Sequence, residues 1–115
     1  MNSKVEKNVL VLTKSEANEQ ITLNFNTLKK AVLILRAVNH PLRKEMIALL
    51  EEKKKMTVTE LYIKLRLEQS VASQHLAILR KADVLITERD GKFIYYSLNT
   101  KRIEEIAALV EDLAQ

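Results

Sequence analysis

The sequence predicts a mostly α-helical chain with one small β-hairpin, and three observations carry that prediction. Apolar residues recur at steps of three and four over most of the chain after Asn26, and the period changes to two on either side of Asp90-Gly91. A short helical segment is also separated from a longer one by a tight break at about Arg66 to Glu68. Short helix, brief turn, second helix and then a hairpin make a winged helix-turn-helix, in the order α-α-(β)-α-α-β-β-α.

Residues 1–24 read as an N-terminal arm or linker, holding the apolar run "VLVL" (Val9 to Leu12) and then "TKSEANEQ". An extra helix or strand added to a neighbouring subunit fits the run equally well. Residues 25–115 read as a single domain. In "NTLKKAVLILRAVN", Leu28, Ala31, Val32, Leu35 and Val38 form the stripe of a strongly apolar helix, with Asn26 or Thr27 as its cap. That helix must end before Pro41, because the residue preceding a proline is pushed out of the helical region. Pro41 then opens "PLRKEMIALLEEKKK", where Leu42, Met46, Leu49 and Leu50 are the expected buried stripe and Arg43, Lys44, Glu45, Glu51 and Glu52 the wet face. "KMTVTELYIKLRLEQ" supplies a short strand and a helix capped by Thr59, with Leu61, Tyr62 and Leu65 inward. The second helix of the unit, residues 69–82, buries Ala72, Leu76 and Leu79. The wing, residues 84–98, turns at Asp90-Gly91 and is expected to be anchored by Val84, Ile86, Phe93 and Tyr95 or Tyr96. "NTKRIEEIAALVEDLAQ" closes the chain as an amphipathic helix started by Asn99 or Thr100.

Composition narrows the function classes. The 115 residues suffice for one core, and 47% apolar with 30% charged residues is a globular balance. The sequence contains no Cys, which removes disulfides, thiolate metal sites and Cys nucleophiles. Gly91 is the only glycine, so no Gly-rich phosphate loop exists. No stretch approaches the roughly 18 apolar residues of a membrane span, and the start lacks the pattern of a signal peptide, which predicts a cytoplasmic protein with no membrane partner. The net charge of +4 tilts the partner toward an acidic one. An enzyme is not expected: Ser73 and His75 sit two apart on one helix and do not face each other, and no paired acids replace them. No catalytic residue and no cofactor is therefore assigned.

Four blocks, "RAVNHPLRKEMIALL", "TVTELYIKL", "QSVASQHLAILRKADVL" and "RDGKFIYYSL", together resemble successive parts of the ArsR/SmtB family of bacterial repressors, from about Leu35 to Leu98. The resemblance implies a homodimer built on the first and last helices that binds operator DNA until an effector lowers the affinity. It places Leu28, Val32, Leu35, Ile103, Ile106, Val110 and Leu113 in the dimer interface. Metal sensing is not carried over. The segment where such proteins place thiolates reads "TELYIKL", and the terminal-helix ligand positions correspond to Thr100, Arg102 and Leu113, which offer no imidazole, thiolate or carboxylate. Asp83 stands where relatives usually have Gly, at a position that commonly adopts a left-handed conformation.

Within that frame the helix 69–82 is the candidate reader of double-stranded DNA. Its outward side carries Gln69, Ser70, Ser73, Gln74, Ala77 and Lys81 rather than the usual Lys and Glu, and Ser and Gln can meet base edges or phosphates in the major groove. A plain polar surface with Ser70 as a local cap is the competing reading. His75 joins the DNA-binding candidates although it lies a step toward the packed side, where a hydrogen-bonding role competes. His40 is expected to close the turn between the first two helices. Arg89 and Lys92 at the wing tip fit phosphates or the minor groove, against the alternative of simple solvation. Lys53, Lys54 and Lys55 could equally end a helix or strengthen salt-sensitive DNA binding. The expected function is thus a sequence-specific DNA-binding transcriptional regulator, a repressor acting on palindromic operators as a homodimer, with room for an unidentified small-molecule effector. The alternative is a winged-helix module that binds a protein or effector and has little DNA affinity, since Asp83, Glu88 and Asp90 dilute the positive field.

Overall fold

The computed structural model describes residues 2–6, 8–16 and 18–115. The chain divides into two units, 1–34 and 35–115, each taken in turn.

The first unit holds three antiparallel strands, β1 (Asn2–Glu6), β2 (Val9–Lys14) and β3 (Glu19–Asn24), in the order β1-β2-β3. The sequence reads these residues as an arm or linker, or as an extra helix or strand, and here they form strands that pair with one another. Within "TKSEANEQ", expected as a linker, Thr13 and Lys14 end β2 and Glu19 and Gln20 start β3. Pairing explains the difference. Leu10 opposes Leu23 and Leu12 opposes Ile21, so two weak alternating segments share one apolar face that neither displays alone. The turns are taken by Asn8 (φ 67°) and Asn18 (φ 53°), residues that tolerate the left-handed region. β3 runs straight into α1 (Phe25–Val38), and the Asn24 side chain caps it by accepting from the N–H groups of Asn26 (2.9 Å) and Thr27 (3.1 Å). The cap is thus Asn24 rather than the expected Asn26 or Thr27.

In the second unit, α2 (Pro41–Lys53) begins after His40, whose extended backbone and Nδ1 acceptor cap the Leu42 N–H at 3.2 Å, closing the interhelix turn as expected. Met46, Leu49 and Leu50 are buried. β4 (Met56–Thr57) leads into α3 (Val58–Lys64). The α3 cap is Thr57 and not Thr59: Thr57 Oγ1 accepts from the Glu60 N–H, and Glu60 Oε1 accepts from the Thr57 N–H. Spacing decides it, because only Thr57 has a Glu three residues on, as a capping box requires. Arg66, at φ 56°, makes the break before α4 (Gln69–Lys81).

β5 (Leu85–Asp90) and β6 (Phe93–Leu98) form the hairpin, with β4 on the far side of β6. Asp90 pairs with Phe93, so the two-residue turn is Gly91-Lys92, one step later than expected. Gly91 at φ 63° takes the left-handed position that a glycine fills without cost. The anchors also differ from those expected. Val84 and Leu85 are buried, whereas Ile86 is 48% and Phe93 50% exposed. Register puts Leu85, Thr87, Ile94, Tyr96 and Leu98 on one face, and Ile86, Phe93 and Tyr95 on the other. α5 (Thr100–Ala114) is capped by Asn99, which also donates through Nδ2 to the Asp83 carbonyl at 2.9 Å. Asp83 adopts φ 63°, the left-handed conformation expected there.

The core of this unit is Met46, Leu50, Leu61, Leu76, Leu79, Val84 and Leu85, each fully buried and worth roughly 1.5–3 kcal/mol of hydrophobic burial. α5 contributes nothing to it, since none of its residues is buried. Among the described residues no helix is long and apolar enough to cross a membrane.

Candidate nucleic-acid interface

α4 is fixed from beneath. Ala72, Leu76 and Leu79 are fully buried against the core, which turns Gln69, Ser70, Ser73, Gln74, Ala77 and Lys81 outward, all of them exposed. Ser70 does not cap the helix: the N-cap position is Glu68, which makes no side-chain cap hydrogen bond. The N-terminal half of α4 therefore presents short neutral donors and acceptors with no bulky charge among them, while Arg80 and Lys81 complement the helix dipole in its last turn.

His75 differs from these neighbours. It is half-buried and its Nδ1 lies 3.0 Å from Arg43 Nη1, with the His40 ring centroid 4.9 Å away. A guanidinium can only donate, so Nδ1 is the acceptor and the neutral ring carries its proton on Nε2. Burial, then the Arg43 charge, then His40 lower the His75 pKa below its ordinary value. Arg43 itself was expected on the wet face of α2. Instead its Nε donates to the Ala37 carbonyl at 2.6 Å and its Nη2 to the Arg36 carbonyl at 3.3 Å, leaving it half-buried. No signal in the periodicity of α2 marks this, since the acceptors lie on other helices.

The wing exposes Arg89, Gly91 and Lys92 at its tip. Lys92 Nζ sits 5.4 Å from the Phe93 ring centroid and Lys55 Nζ 4.9 Å from that of Tyr95, so two cations lie against exposed or half-exposed aromatic faces. Between the start of α3 and β6 runs an open groove of about 600 Å³ lined by residues that include Thr57, Thr59, Lys92, Phe93 and Tyr95. Of the lysine run, Lys53 pairs with Glu52 (3.7 Å) and Lys54 with Glu51 (3.2 Å), exposed pairs of small energetic weight that leave Lys55 turned toward the wing. Of the expected interface residues on α5, Ile103 and Ile106 are half-buried, Val110 is exposed and Leu113 is 72% exposed. On α1, Leu28 is exposed, and Val32 and Leu35 are half-buried. The described residues contain no group of three or more His, Asp or Glu side chains able to hold a metal ion.

Comparison with known proteins agrees with this arrangement. The profile of the bacterial regulatory protein, arsR family, matches residues 40–87, from the α2 cap into β5. The chain is 33% identical over 91 residues to the transcriptional repressor PagR of Bacillus anthracis, spanning 79% of this chain and 91% of that protein. It is 31% identical over 84 residues to the transcriptional activator HlyU of Vibrio cholerae, spanning 73% and 77%. The crystal structure of PagR superposes with a TM-score of 0.61 at 35% identity, covering 75% of this chain and 98% of that one. NolR from Sinorhizobium fredii gives 0.62 at 34%, covering 75% and 86%. The fold is thus the winged helix-turn-helix of these regulators. The chain belongs to the ArsR family of bacterial regulatory proteins, and is a DNA-binding transcription regulator and not an enzyme.

Proposed function

We propose that this chain is a sequence-specific repressor that works in the cytoplasm and binds palindromic operator DNA as a homodimer, through α4 and the wing. The observation that carries the reading is the outward row Gln69, Ser70, Ser73 and Gln74, exposed on a helix whose opposite side is locked into the core. Short neutral donors and acceptors suit base edges, while Arg89, Lys92 and Lys81 supply attraction to phosphate. Dimerisation is supported by α5, whose apolar stripe is left half-buried at Ile103 and Ile106 and exposed at Val110 and Leu113. A two-fold dimer would cover it and would present two reading helices to two half-sites. Repression follows the role of the repressor PagR, and the activator HlyU is the counter-example.

Selection of random-sequence duplexes on the purified protein tests this reading. A preferred site with two-fold symmetry, which represses a reporter when placed across its promoter, is expected. Binding indifferent to sequence would overturn the reading in favour of an interaction module, and activation of the reporter would overturn the repressor assignment.

A further inference from the structure

Arg43 holds three acceptors at once. Two are the carbonyls of Arg36 and Ala37 at the end of α1, and the third is His75 Nδ1 on α4. One planar fork on α2 thereby joins the last turn of α1 to the middle of the helix proposed to read DNA. The fork geometry matters, because a guanidinium spreads its donors in a fixed plane and an ammonium does not. His75 directly follows Ser73 and Gln74, so the side it must present to Arg43 sets the rotation of α4 about its own axis. With side chains reaching roughly 5–6 Å from that axis, a rotation of about 10° would displace the polar tips by about 1 Å. That is enough to spoil a hydrogen bond to a base edge. The buried Ala72, Leu76 and Leu79 hold α4 on the core and set which face is outward, and the hydrogen bond to His75 adds a directional constraint to that packing.

Resting on the reading of α4 given above, we propose that Arg43 is a positioning residue for DNA recognition: by tying the Arg36 and Ala37 carbonyls to His75 it fixes the rotation of α4. His75 serves as the acceptor of this tie rather than as a DNA contact. The end of α1 and the reading surface are then mechanically connected through a single side chain.

The test uses the full chain, the duplex recovered by selection, and a scrambled duplex of the same length at fixed salt. Leucine in His75→Leu fills similar space without an acceptor, asparagine in His75→Asn sets Oδ1 near the place of Nδ1, and lysine in Arg43→Lys keeps the charge without the fork. His75→Leu and Arg43→Lys are each expected to weaken the selected duplex about tenfold, the order expected for losing a hydrogen bond to a charged group, with the scrambled duplex little changed. His75→Asn should restore most of the loss, and the double variant Arg43→Lys/His75→Leu should bind no worse than either single one. His75→Asn as weak as His75→Leu, or effects that add, would overturn the tie. So would equal losses on both duplexes. Should His75→Leu fail to fold, Arg43→Lys against His75→Asn still decides between these outcomes. If no duplex is preferred at all, the reading of α4 fails and this inference with it, whereas a preferred duplex that ignores Arg43→Lys removes the tie alone.

Discussion

α4 and α5 are two amphipathic helices of 13 and 15 residues with opposite fates. α4 buries Ala72, Leu76 and Leu79 completely, while α5 buries nothing and leaves Val110 at 45% and Leu113 at 72% exposure. The same periodicity thus yields a sealed helix in one case and an uncovered one in the other. Periodicity tells which face is apolar and says nothing of what covers it. For α4 the cover is the rest of the second unit, and the proposed cover of α5 is a second copy.

Substitutions on the two helices should therefore act differently. Leu76→Ala leaves a cavity in a fully buried site and is expected to cost about 2–5 kcal/mol in urea unfolding; a much smaller loss would mean that α4 is not sealed. Ile106→Glu places a charge on the α5 stripe. It should convert the protein to a monomer in sedimentation and weaken binding to the selected duplex about 100-fold, since two linked half-sites become separate ones. A dimer that survives this change would move the interface away from α5. On the outward side of α4, Ser73→Ala and Gln74→Ala should each cost about 1–3 kcal/mol of specific DNA affinity with the melting temperature unchanged. At the wing, Arg89→Ala should reduce the salt dependence of DNA binding by about one phosphate contact, seen as a slope shallower by roughly 0.9.

The smallest effect concerns pH. Burial and the neighbouring Arg43 and His40 hold the His75 pKa below its ordinary value of 6.5. Above 6.5 the ring is neutral whether the chain is folded or not, and its contribution to stability is complete. As pH falls from there toward the lowered folded value, the unfolded chain binds the proton first and stability declines. The urea midpoint of the wild type should therefore drop more steeply below that pH than the midpoint of His75→Asn. Parallel curves would show that His75 does not titrate in this window.

Much of the second unit was legible because its signals are local. The α2 stripe and the His40-Pro41 start follow from residues within a few positions of each other, while the left-handed Asp83 was implied by the family resemblance. The Thr57 cap is equally local, since Thr57-x-x-Glu60 is present in the sequence. The β1–β3 sheet was not legible, because its evidence is the pairing of Leu10 with Leu23 and Leu12 with Ile21, which no single segment shows. The wing register failed for a related reason. Moving the turn by one residue shifts the pairing by two and keeps Ile86, Phe93 and Tyr95 on one face, so the neighbours alone decided which face packs: Leu85 went in, and Ile86 and Phe93 went outward.

The residues of the candidate interface divide in the same way. Gln69, Ser70, Ser73 and Gln74 stand out in the sequence because an outward helix face is usually filled with Lys and Glu, and Ser is a weaker helix former than either. Arg43 does not, because on α2 it is one charge among several.

The sequence by itself determined the helical stripes, the hairpin, the absence of thiol chemistry and the polar row on α4, all of which depend on residue type at short spacing. Only the tertiary structure decided that Arg43 leaves the solvent to join Arg36, Ala37 and His75, because that geometry depends on how three helices meet. It decided also that α5 buries no residue completely within its unit, since burial is a property of neighbours and not of the helix that needs them.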